Sequence, residues 1–396
     1  QDNWLAEAER FFPQLSVKVW SRDTVTEGVP AEGCDLLVIH YQQLRMHEHD
    51  LTSRTWSAAI LDEAQAIKNP TSQTSQAACH LRARFRLALT GTPIENRLLD
   101  LWAILAFAMP GALGTRAHFT RHFDSKADSL ARHRLSARVR PFLLRRTKKE
   151  VANDLPDRIE EDITCEMEGP QAALYKAELK RARASLLKVQ TSKQLDKLRF
   201  NILTSLLRLR QICCHPALIG HDDPKTESTK LTALLELLEP LMDEGHKVLI
   251  FSQFVDMLER IKTEVSARSW PHFILTGQTE DRGDLVRSFQ ESEGAGIFLI
   301  SLKAGGSGLN LTAASYVVLF DPWWNPAVEA QAIDRTHRIG QKNTVIAYRL
   351  IVKESIEEKI RSLQKQKGHL AQDILGEENF AKALSIDDFR FLLGTD

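Results

Sequence analysis

Short apolar runs alternate with polar stretches at both ends of the chain, but not in its middle. Residues 34–44 (CDLLVIHYQQL), 56–61 (WSAAIL) and 85–89 read as short buried strands, each followed by a polar or helical stretch. That alternation is the mark of a parallel α/β sheet. Residues 98–110 (LLDLWAILAFAMP) predict an apolar helix stopped by Pro110 and Gly111. From there to about residue 212 the pattern changes to long charged helices, 171–190 and 193–212, with almost no strand signal. Leu203, Leu206, Leu207 and the run Leu209 to Ile212 predict a helix packed on a neighbour. The polar break from His221 to Lys230 reads as a linker or a loop between lobes.

Beyond that break, strand and helix alternate again. Strands are predicted at 247–251, 272–275, 296–301, 316–320 and 344–352, with Ser252 as a cap for a helix that carries Phe254, Leu258, Ile261 and Val265 on one face. Ser355 to Leu375 forms an amphipathic pattern, and no internal repeat is present. The expected architecture is α/β. An incomplete first lobe takes residues 1–112, a helical insertion 113–225, a second lobe 226–352 and a helical extension 353–396.

Composition narrows the classes. A chain of 396 residues is too long for one core and predicts two or three domains. With 43% hydrophobic and 26% charged residues, and no apolar run near the roughly 18 residues a helical span requires, a membrane role is not expected. Five cysteines without paired metal-ligand spacing argue against a disulfide scaffold or a zinc ribbon and for a reducing interior. Cys213, Cys214 and His215 adjoin too closely to wrap one tetrahedral zinc, so they read as a packed helix end. The 52 basic and 52 acidic residues balance, so attraction to nucleic acid must come from local patches. One such patch runs from Arg132 through Lys149 without a single acid; a solvated helix face with acidic neighbours in space is the other reading of it.

Candidate chemistry sits at predicted strand ends. WSAAILDEAQ places Asp62 and Glu63 just past an apolar strand, where parallel sheets form ligand crevices. In a nucleotide motor the first carboxylate holds Mg²⁺ through water and the second orients the attacking water; a helix-capping Asp is the plainer reading. RFRLALTGTPIEN ends another strand in a polar turn with Thr90 and Thr92 beside those carboxylates, or else simply starts a Thr-capped helix. SLKAGGSGLNL follows strand 296–301 with glycines that let backbone approach a ligand. In QAIDRTHRIGQ, Arg335 and Arg338 stand three apart, which on a helix would project both guanidinium groups to one side, suited to a γ-phosphate. A surface helix salt-bridged through Asp334 is the alternative.

DEAQ, LTGTPIEN, SLKAGGSGLNLTAAS, DPWWNP and DRTHRIGQ, in this order and around this helical insertion, resemble the Swi/Snf-related family of double-stranded DNA translocases in helicase superfamily two. The likeness covers nearly the whole chain. It implies two RecA-like parallel-sheet lobes, the first incomplete, that use ATP and Mg²⁺ on duplex DNA. Asp62, Glu63, Arg335 and Arg338 would be catalytic. Gln65, Thr90, Gly91, Thr92, Gly308, Asn310 and Gln331 would attend the nucleotide, and Ser252, Gln253, Ser301, Lys303 and Trp324 the DNA. For Trp324, burial between lobe and insertion explains the residue equally well.

By the same likeness, the object of the work would be a nucleosome, another DNA-bound protein, a recombination intermediate or RNA polymerase. The location would be the nucleoid of a bacterium or a eukaryotic nucleus. The Gly-rich phosphate loop ending in Lys-Ser/Thr is absent from all 396 residues. The expectation is therefore a fragment whose own N-terminus lies upstream and whose ATP turnover is weak. A non-catalytic nucleic-acid-binding scaffold is the rival, and an RNA helicase is disfavoured by the insertion and by RTHRIGQ.

Overall fold

The computed structural model describes residues 2–20, 29, 33–91, 98–123, 129–146, 150, 152, 154–187, 192–221, 227–305, 309–366 and 384–394. The chain forms two compact units, Gln1–Thr147 and Lys148–Asp396. Their boundary falls inside the expected insertion, so that 113–147 folds with the first unit and 148–225 with the second.

In the first unit, strands β1 (Val17–Val19) and β2 (Leu36–Val38) pair in parallel, as do β3 (Thr55–Leu61) and β4 (Arg82–Ala88). Helices Gln73–His80 and Leu98–Ala108 supply Ala77, Ala78, Ile104 and Phe107 to a core that also holds Trp20, Leu44 and Ile67. Ile60, Phe85 and Leu87 of β3 and β4 remain exposed. Residues 34–44, expected as one strand, divide: β2 stops at Val38 and a helix Tyr41–Met46 begins. The Gln43 side chain decides this, because its oxygen accepts from the His40 N–H at 2.8 Å and closes a capping box.

The second unit is built on one six-stranded, wholly parallel sheet. Its strands are β5 (Arg158–Cys165), β6 (Lys247–Ser252), β7 (His272–Leu275), β8 (Gly296–Ser301), β9 (Tyr316–Leu319) and β10 (Val345–Val352), in the order β5-β10-β9-β6-β8-β7. Period-two alternation sorts the side chains of the central strands onto two faces. Val248, Ile250, Ile297 and Leu299 join Leu234 and Leu238 of helix Thr229–Asp243 and Leu258 and Ile261 of helix Val255–Ala267. Leu249, Phe251, Phe298 and Ile300 join Phe289 of helix Arg282–Glu291 and Ile333 of helix Pro326–Ile333. Both faces of β6 and β8 are thus covered, and each such side chain contributes about 1.5–3 kcal/mol. A third cluster joins helices Gly169–Leu186, Ser192–Cys214, Ile356–Gln366 and Ile386–Leu393.

Three expectations need correction here. The middle of the chain does contain a strand: β5 runs in register beside β10, Arg158 opposite Val345 through Cys165 opposite Val352. Its sequence RIEEDITC looks unlike a strand because the charges are satisfied sideways. Arg349 of β10 bonds Glu160 and donates from Nη1 to Asp162 at 3.5 Å, a charge-rich solution suited to a sheet edge. Ser252 ends β6 and the N-cap position falls on Phe254, whose N–H donates to the Ser252 hydroxyl at 3.1 Å. Lys230, assigned to the polar break, lies wholly buried in helix Thr229–Asp243. The amphipathic tail is helical over Ile356–Gln366, and its remainder to Leu375 lies outside the described residues.

Candidate active site

The carboxylate motif of the first unit stands where β3 ends. Leu89 N–H donates to the Leu61 carbonyl at 2.8 Å and Ala64 N–H donates to the Leu89 carbonyl at 2.9 Å, which ties the turn after β3 to the turn after β4. Between those two bonds the chain is forced through Glu63 at φ 49°, ψ 51°. A non-glycine residue in this left-handed region costs on the order of 1 kcal/mol and persists only where its surroundings demand it. The strain turns Glu63 outward, and both carboxylates are exposed.

Their partners link two motifs. The Gln65 amide donates to Glu63 Oε2 at 2.6 Å, and the Thr90 hydroxyl donates to Gln65 Oε1 at 2.8 Å. Asp62 accepts from the Trp4 indole at 2.9 Å and, through its other oxygen, from the Glu63 N–H at 2.9 Å. Tyr41 donates its hydroxyl to the Asp62 carbonyl at 2.7 Å. Burial, with the charges of Asp62 and Glu63 behind it, pushes the Tyr41 pKa up, so this hydroxyl stays a donor. Trp4 and Tyr41 escaped the sequence reading. They stand 58 and 21 positions from Asp62, and only the tertiary structure brings them there. Gly91 lies in the exposed turn beside Thr90, while Thr92 is outside the described residues.

The arginine motif of the second unit departs from its expected form. Helix Pro326–Ile333 ends before it, capped at Asp334, so Arg335 and Arg338 lie in successive turns and not on a common helical face. Arg335 is buried and Arg338 half-buried. What holds these turns is backbone: the Leu311 N–H donates to the Arg335 carbonyl at 3.0 Å. Gln341 donates its amide to the carbonyls of Ala314 at 2.8 Å and Thr312 at 3.1 Å. The arginine turns and the Leu309–Ala314 loop are therefore one body, with Asn310 exposed on it and Gln331 half-buried on the helix before it. From the other side, His337 Nε2 meets the Pro156 carbonyl at 2.8 Å and Arg158 donates to Asp334 at 3.2 Å. Gly308 lies outside the described residues.

Strand order reverses beside β6, and the carboxyl ends of β6, β8 and β9 there are the usual ligand position in parallel sheets. Asp321 follows β9 there and is buried. The Ser252 hydroxyl donates to it at 2.5 Å, the Gln253 N–H at 3.3 Å, and Arg210 Nη2 stands 3.9 Å away. Ser252 and Ser301 are buried, and the Gln253 side-chain nitrogen has no hydrogen-bond partner among the described residues. Lys303 lies in the short helix Leu302–Gly305 at the end of β8.

Trp324 resolves toward burial. It is 7% exposed and packs within the third cluster, with the Arg210 guanidinium 5.2 Å from its ring centroid. Within its unit the surrounding helices take most of the surface of this ring. Ser252 spends its hydroxyl on Asp321, and the side-chain nitrogen of Gln253 is buried without a hydrogen-bond partner among the described residues.

Burial pushes the Asp321 carboxyl up to about 6, against the opposing pull of Arg210 and Ser252. The carboxyl binds its proton more tightly folded than unfolded. Its contribution is therefore fully present below about pH 4 and is lost as pH rises through 6. In urea unfolding, Asp321→Asn should flatten the stability of the second unit between about pH 4.5 and 7 by about 2 kcal/mol relative to wild type. Parallel pH profiles for the two proteins would refute this.

An α/β chain of RecA-like lobes with strand-end carboxylates and an arginine turn fastened to a neighbouring loop has a helicase-like fold. The SNF2-related domain family matches residues 1–218, and the helicase conserved C-terminal domain matches residues 229–340. The chain belongs to the SNF2-related family. An uncharacterized ATP-dependent helicase of Mycoplasma pneumoniae is 38% identical over 391 residues, which cover 98% of this chain and 37% of that protein. The human SWI/SNF-related matrix-associated actin-dependent regulator of chromatin subfamily A member 1 is 34% identical over 381 residues, 90% of this chain and 36% of that one. The chain thus spans little more than a third of these curated relatives. Among solved structures, the Sulfolobus solfataricus SWI2/SNF2 ATPase core in complex with dsDNA matches with a TM-score of 0.51 at 36% identity, over 99% of this chain and 83% of that one.

Proposed function

We propose that this chain is part of an ATP-driven motor that translocates on double-stranded DNA. The observation that carries the reading is the relay Glu63–Gln65–Thr90, which couples a strand-end carboxylate to the threonine turn of the neighbouring strand. Such a relay lets a change at the nucleotide reach a second segment. Exposed, oxygen-only side chains at Asp62 and Glu63 suit a hard divalent cation. Asp62 would hold Mg²⁺ through water, and bound Mg²⁺ would neutralise charge on the phosphates.

Glu63 is the base that orients and polarises the attacking water, and its left-handed backbone keeps the carboxylate outward for that task. Thr90 and Gln65 hold Glu63 in place. Arg338, with Arg335 behind it, stabilises the charge that develops on the transferred phosphoryl group. Gly91, Thr92, Gly308, Asn310 and Gln331 border the nucleotide. Gln253, Ser301 and Lys303, at the ends of β6 and β8, would meet the DNA phosphates. Contacts of that kind grip the backbone without reading sequence. The resemblance to the Sulfolobus core, which is in complex with dsDNA, supports the choice of duplex DNA.

One feature favours a second reading, a DNA-binding scaffold without catalysis: no phosphate-binding loop occurs in the 396 residues. The two separate in one experiment. The 396-residue chain should bind duplex DNA with an affinity that falls steeply with salt, and should turn over ATP poorly. A form of the protein that hydrolyses ATP should displace a third strand from a DNA triplex without separating the duplex. Strand separation, or no ATP-dependent displacement at all, would defeat the translocase reading.

A further inference from the structure

We propose that Arg134, Arg138, Arg140, Arg145 and Arg146 form an additional phosphate-binding surface for duplex DNA on the first unit. The inference rests on the DNA-motor reading above and extends it to a place that none of the motifs touches. Helix Ser129–Val139 presents Leu135 and Val139, four apart, to a small core with Phe119, Leu113, Leu101 and Leu105. At about 100° per residue, Arg134 and Arg138 fall on the adjacent row. They are exposed, as are Arg140 in the turn Arg140–Phe142 and Arg145 and Arg146 beyond it. The core therefore fixes the direction in which Arg134 and Arg138 face.

No aspartate or glutamate occurs between Arg134 and Arg146. Among the described residues, none of the five arginines forms an ion pair with an acid from elsewhere in the fold. Among the described residues, acidic neighbours that would balance this face are not found. Ion pairs of exposed arginines occur in the second unit, as Arg268 to Glu264 and Arg287 to Asp284, whereas exposed Arg45, Arg82 and Arg116 of the first unit, like the strip, form none among the described residues. Like charges gathered without counter-charge repel one another, so the strip costs stability until an anion neutralises it. All five are arginine, whose planar fork matches phosphate geometry and binds it in a bidentate manner. A polyanion of closely spaced phosphates fits this better than an isolated anion.

The test is duplex binding by the 396-residue chain across a range of salt, comparing wild type with the triple variant Arg134→Gln, Arg138→Gln, Arg140→Gln and the double variant Arg145→Gln, Arg146→Gln. Glutamine keeps helix propensity, and the positions are exposed, so the fold should persist by circular dichroism. Arg287→Gln in the second unit is the control, expected to bind like wild type. The triple variant should lose roughly 10-fold in affinity at about 0.1 M salt, and its log-log salt slope should fall by about 2–3. Unchanged affinity and slope in both variants, with wild type binding well, overturns this surface and leaves the motor reading standing. A wild-type chain that binds no duplex overturns both. Tighter wild-type binding to polyglutamate than to duplex overturns DNA as the partner and assigns the strip to an acidic protein.

Discussion

Arg338→Ala is expected to lower DNA-stimulated ATP hydrolysis by about 10³-fold or more in a form of the protein that turns over ATP, with duplex affinity nearly unchanged. The magnitude is that of a fixed cation withdrawn from the transition state, and the structure makes Arg338 the cleaner of the two arginines to test. It is half-buried, in a turn secured by Leu311 and Gln341, so truncating its side chain leaves the backbone bonds in place. Arg335 is buried, and its loss would mix lost packing with lost catalysis. The companion variant Glu63→Gln should cost about 10²–10⁴-fold, the usual contribution of a general base. Steady-state turnover with saturating DNA decides both. Wild-type rates in either variant would remove that residue from the mechanism.

Lys230→Ala should destabilise the second unit by about 3–5 kcal/mol, the largest single effect expected on stability. Its ammonium lies fully buried, 2.7 Å from Glu357, and also donates to the Phe320 carbonyl at 2.8 Å. Burial works against this charge, yet Glu357 outweighs it and holds the lysine above its ordinary range. Removing Lys230 strands the Glu357 carboxylate in the core with the Val352 N–H still donating to it at 3.0 Å. The pair fastens helix Thr229–Asp243 to the end of β9 and the start of helix Ile356–Gln366, so its rupture should be felt across the sheet. The double variant Lys230→Met, Glu357→Gln should recover most of the loss, since it removes both charges. Urea unfolding followed through the second unit measures this. A single variant as stable as wild type would show that the pair is not held as described.

Most of the fold could be read directly. The apolar runs of β6, β8, β9 and β10 announce themselves because strands covered on both faces carry little else. What resisted reading were elements whose local sequence serves a distant partner. RIEEDITC looks like a charged helix until Arg349 stands beside it, 187 positions from Asp162. Lys230 looks like linker until Glu357, 127 positions on, receives its charge. HYQQL reads as strand because nothing in its apolar pattern shows that the Gln43 side chain will cap a helix.

The candidate site divides in the same way. Residue types and order along the chain were enough to single out the strand-end carboxylates, the threonine turn and the arginine segment, because charge chemistry requires those side chains whatever surrounds them. Folding decided their posture: Glu63 in left-handed backbone, Arg335 buried while Arg338 is not, and Trp324 and Ser252 committed to the interior. Periodicity reports which way a side chain points from its own element. It carries no information about which other elements arrive on that side, and at the ends of β3, β6 and β9 those arrivals decide which groups remain free to act.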